Sequence, residues 1–128
     1  MEKELIFNSN MHFEHVQWRR ELFFWEDELK SFKNRLSELV MRYTAKDVLA
    51  KLEHYQNEFI LHGGVIDDLL EDIEKHETRI AGQTKAGQDV LDTTFVNKHL
   101  EFRNRMETQR QMYSDLKKGF YSFLTKYM

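Results

Sequence analysis

Three unbroken heptad seams follow one another along this chain. The first runs Met11, His15, Trp18, Leu22, Trp25, Leu29, Phe32, Leu36, Leu39, Tyr43. The second runs Val48, Leu52, Tyr55, Phe59, His62, Ile66, Leu69, Ile73, His76, Ile80. The third runs Asp92, Phe95, His99, Phe102, Met106, Gln109, Tyr113, Leu116, Phe120, Phe123, Tyr127. Each alternates steps of three and four, the spacing that holds one stripe of side chains on one face of a helix. An isolated helix cannot bury such a stripe, so the helices must pack on one another. The spacing predicts an all-α fold, an antiparallel three-helix bundle with long helices over about 11–43, 45–81 and 89–127. Residues 1–128 read as one domain, with 1–10 as an amino-terminal extension.

Local signals punctuate the seams. Asn8, Ser9 and Asn10 are good caps ahead of the first. Thr44 followed by Asp47 reads as a variant capping box, which makes the first connection short and the first two helices antiparallel neighbours. Gly82 predicts the end of the second helix, 82–88 a loop, and Asp89 the cap of the third. Gly63 and Gly64 fall inside the second seam. They predict a continuous helix, kinked if at all, because Phe59, His62, Ile66 and Leu69 keep phase across them, whereas a break would give four shorter helices.

Composition narrows the function classes. The 128 residues suffice for a core without staples. There is no cysteine, which removes disulfides, thiol nucleophiles, iron–sulfur clusters and cysteine-based zinc sites. A net charge of −3 argues against a nucleic-acid partner. No apolar run reaches membrane-spanning length and the start lacks a signal-peptide core, so a cytoplasmic chain is expected. No phosphate loop, His-Glu-x-x-His or nucleophile elbow is present, and no enzymatic activity is expected.

Two sets of residues exceed what a simple bundle needs. Phe23, Phe24, Ile60 and Leu61 fall off the seams, and antiparallel levels place them together at mid-bundle. They predict a patch for a homodimer or a docked partner helix. The second set is histidine. His15, His62, His76 and His99 occupy seam positions, and His12 lies one turn from His15. The same levels gather His12, His15, Asp72, His76, Asp92 and His99 toward one end. Imidazoles and carboxylates converging between helices are how bundles hold transition metals.

His54-x-x-x-Glu58, followed by His76 and His99, resembles part of the hemerythrin ligand set. That resemblance implies a di-iron centre in a four-helix fold. The chain departs from the family pattern where Asp72 stands in place of a histidine and Asn104 in place of an aspartate. The three long helices also resemble the architecture of a spectrin-type repeat, which carries no function with it. The sequence therefore predicts a non-enzymatic interaction bundle without a cofactor. Its alternative is a metal-binding bundle, hemerythrin-like, holding iron or zinc on the histidine and carboxylate cluster.

Overall fold

The computed structural model describes residues 8–85 and 93–127. It is all-α: α1 spans Asn8–Arg42, α2 Lys46–Lys85 and α3 Thr93–Tyr127. The short connection after Arg42 turns the chain through the amide of Tyr43, bonded to the Leu39 carbonyl at 3.1 Å, and that of Leu49, bonded to the Ala45 carbonyl at 3.0 Å. α1 and α2 are antiparallel, and α3 runs parallel to α1 against both.

Among the described residues, every buried side chain lies on one of the three seams. Phe95, Tyr43, Tyr55 and Tyr127, at or near seam ends, are only partly covered. The core is built in cross-sections. Phe32, Phe59 and Phe120, one from each helix, meet with ring centroids 4.9–5.8 Å apart. Farther along, Trp25 packs on Tyr113 at 5.1 Å. The main apolar core runs from Val48 and Phe123 to Trp18 and Phe102, and a small second cluster of Met11 and Ile80 closes the opposite end.

A ladder of charges follows the register of α1 against α3. Arg103 holds Glu14, Arg110 holds Glu21 at 2.7 Å, and Lys117 holds Glu28. The acids are seven apart on α1 and the bases seven apart on α3, so the rungs repeat with the heptad of a parallel helix pair. Tyr113 also donates to Glu28 at 2.7 Å.

Several local expectations are corrected. α1 begins at Asn8, so Asn8, Ser9 and Asn10 lie within its first turn rather than ahead of it. α2 begins at Lys46, which leaves Thr44 one residue too early for the cap. Gly82 does not stop α2, which continues to Lys85. A glycine stop commonly takes the left-handed conformation, and Gly82 does not take it. Asp89 and the rest of the expected loop, 86–88, lie outside the described residues. α2 passes unbroken through Gly63 and Gly64.

Candidate metal centre

His15 on α1, His76 on α2 and His99 on α3 form one complete cross-section of the bundle. Their seam positions aim all three rings at the axis. Their centroids lie 5.1 Å apart for His15 and His99, 5.2 Å for His15 and His76, and 5.8 Å for His76 and His99. All three are buried, at 0%, 1% and 0% exposure in chain order. Apolar rings wall the layer. Trp18 stacks on His99 at 5.0 Å, and Phe102 packs on His76 at 5.2 Å. One ring nitrogen from each histidine lies within 4.8 Å of the other two.

Carboxylates orient two of the three rings from outside. Nδ1 of His15 donates to Glu77, whose other oxygen accepts from Nδ1 of His12. Nε2 of His99 donates to Glu14 at 3.0 Å. Glu14 is in turn gripped by Arg103, with Nε 2.9 and 3.1 Å from its two oxygens. A carboxylate only accepts, so each contact places the proton on the outer nitrogen and leaves a lone pair on the inner one. Those inner atoms, Nε2 of His15 and Nδ1 of His99, have no hydrogen-bond partner among the described residues, and neither nitrogen of His76 has one. Histidines that donate outward to carboxylates and present a bare nitrogen inward have the second-sphere arrangement of metal ligands.

The electrostatics agree. Burial pushes His15, His76 and His99 below the ordinary histidine value, His76 furthest, to about 4, with the other two imidazoles adding to the effect. For His15 and His99 the neighbouring carboxylates Glu77 and Glu14 oppose part of the shift. Burial raises Glu14, but Arg103 and His99 outweigh it and hold the carboxyl below its usual range. Burial also raises Glu77, and His15 and His12 outweigh it likewise. At neutral pH the layer is therefore three neutral imidazoles backed by two carboxylates, the protonation state that coordination requires.

His62 supplies an internal contrast. It is also a buried seam histidine, but its Nδ1 meets the Gln109 amide at 2.9 Å, and Glu58 lies 3.7 Å from its Nε2. This bundle thus buries a structural histidine by giving it polar partners. An unpartnered buried polar atom costs about 1–3 kcal/mol, and the layer at His15, His76 and His99 contains four of them. A cation bound between the three rings would satisfy one nitrogen of each.

The expected residues separate cleanly. Of the predicted metal set, His15, His76 and His99 converge, while His12 is tied to them only through Glu77. Asp72 faces away and pairs with Arg105 at 3.0 Å. Asp92 lies outside the described residues. The hemerythrin-like set does not assemble, because His54 shares continuous α2 with His76 and about 33 Å of helical rise separates them. Glu14, Glu77 and Arg103 were not anticipated. The seven-residue spacing of Glu14, Glu21 and Glu28 opposite Arg103, Arg110 and Lys117 was the available signal for two of them.

The predicted interaction patch is exposed but divided. Phe23 lines a groove between α1 and α2 with Val16 and Leu70. Ile60 lines another between the same helices with Leu36, Val40 and Met41. Phe24 lies under the Lys117 ammonium, 5.8 Å from its ring centroid, on the α3 side. Leu61 is 57% exposed.

Comparison with protein-family models, with curated proteins and with solved structures finds no match. No helix among the described residues is long and apolar enough to cross a membrane.

Proposed function

We propose that this bundle binds one transition-metal ion between His15, His76 and His99. The observation that carries the reading is the set of partnerless inner nitrogens on rings held from outside by Glu77 and Glu14. Zinc fits best. Its bonds to imidazole are about 2.0–2.1 Å, so ligand nitrogens now within 4.8 Å reach it by shifts of about 1 Å each. Non-haem iron sites favour a carboxylate among the direct ligands, and both carboxylates here are occupied with the outer nitrogens. The ion would tie one point on each helix together, so binding would contribute directly to folding stability.

The reading is tested by zinc titration calorimetry on the wild type and on His15→Ala with His76→Ala. The wild type should bind one ion per chain. The double variant should bind none while keeping its helical circular dichroism. Equal binding by both would remove these histidines from the site.

A second reading rests on a different observation, the apolar residues Phe23, Val40, Met41 and Ile60 exposed along the α1–α2 side that α3 leaves open. Those two grooves suit a second copy of the chain. Phe23→Glu with Ile60→Glu should then give a folded monomer by sedimentation, and an unchanged sedimentation coefficient would discard the interface.

A further inference from the structure

A site whose three ligands are 0–1% exposed must be filled from somewhere. Four grooves on the described surface are lined by other side chains. Two polar arms lead outward from the histidine layer, one through Glu77 to His12 and one through Glu14 to Arg103. Their carboxylates are equally exposed, at 23% each. Their outer partners differ in kind. Arg103 offers a permanent positive charge with no lone pair, which repels a cation and cannot bind it. His12 offers an imidazole, 59% exposed, which can ligate.

We propose that His12 and Glu77 form the loading arm of the metal centre, a transient two-donor station that captures a divalent cation at the surface and passes it to His15. The inference rests on the metal reading above. His12 and His15 are three residues apart on α1, hence on adjacent turns of one face. Glu77 touches both, with one oxygen toward each. An ion held by His12 and Glu77 therefore lies on the Nδ1 side of His15, one imidazole ring away from the inner Nε2 that would ligate it. The acidic stretch of α2 also finds a use. Asp67, Asp68, Glu71, Glu74 and Glu77 against Lys75 leave this stretch of α2 net negative, Asp72 being taken up by Arg105. Such a field concentrates cations and raises their association rate. The Glu14–Arg103 arm serves instead as a fixed brace for His99.

The test is stopped-flow uptake of cobalt(II), followed by its visible absorption, on the full chain. His12→Ala should take up cobalt about tenfold more slowly than wild type, a loss in the range that cation-steering contributes, and still reach one ion per chain. Arg110→Gln, which removes a cation from α3 at a rung that touches none of the three histidines, should load no more slowly than wild type. Equal rates for wild type and His12→Ala, or an equal slowing by Arg110→Gln, would overturn the loading arm while leaving the metal site intact. Loss of equilibrium binding in His12→Ala would also overturn it, by making His12 a resident ligand. Failure of the wild type to bind cobalt or zinc at all would instead refute the trigonal site itself.

Discussion

At the scale of single residues, His76 and His62 separate function from packing. Both are buried seam histidines, yet His76 has two unpartnered ring nitrogens and His62 has Gln109. In metal-free protein His76→Leu should raise stability by about 1–2 kcal/mol, because it removes stranded polar atoms from an apolar layer. His62→Leu should lower stability by about 1 kcal/mol, because it strands the Gln109 amide instead. Urea unfolding in chelator measures both, and a destabilising His76→Leu would mean that the ring has structural partners. The same residue sets a pH dependence. His76 titrates near 6.5 when unfolded and about 4 when folded, so between those values the unfolded chain binds the extra proton. Its contribution is therefore fully present above pH 6.5 and declines as the pH falls toward 4, by about 3 kcal/mol in all. His15, His62 and His99 are shifted in the same direction and add to the decline. The urea midpoint of metal-free protein should drop from pH 7.5 to pH 5, less so in His76→Leu; a flat profile would contradict neutral burial.

At the scale of elements, the seams made the helices and their buried faces readable, because a period of 3.5 residues leaves little freedom in which side chains point inward. The antiparallel levels likewise bring His15 to His76, but they set residue 93 opposite His76 and leave His99 one to two turns away, whereas the structure puts His99 in the layer itself. Glu14 and Glu77 escaped, since whether a flanking carboxylate reaches inward to an imidazole depends on side-chain torsions and helix separation rather than on spacing. The helix ends were less legible for a related reason. Gly82 carries a statistical stop signal, but packing of Ile80 against Met11 holds the last turns of α2 in place. Gly63 and Gly64 posed the opposite problem, a weak point inside a strong seam. A methyl added at either position meets no atom within 4 Å. Gly63→Ala with Gly64→Ala should therefore stabilise the bundle by about 2 kcal/mol through helix propensity alone. A lower melting temperature would show that the bare backbone serves a close approach.

At the scale of the whole molecule, one layer ties the parts together. Each helix contributes one imidazole to it, and the top rung of the α1–α3 charge ladder, Glu14 with Arg103, also orients His99. The same contact thus matches the helix register and holds a ligand ring. The main core on one side and the Met11–Ile80 cluster on the other shield the layer from water, which strengthens every electrostatic interaction inside it. An interaction surface over Val40, Met41 and Ile60 lies far along α1 and α2 from His15 and His76, so the two proposed roles can coexist in one chain. The most direct measurement is a native mass spectrum of untagged protein, purified without chelator or affinity metal and then given one equivalent of zinc. Wild type should carry one ion per chain and His76→Leu none. Wild type that stays metal-free would contradict the proposal that the histidine layer is a metal centre.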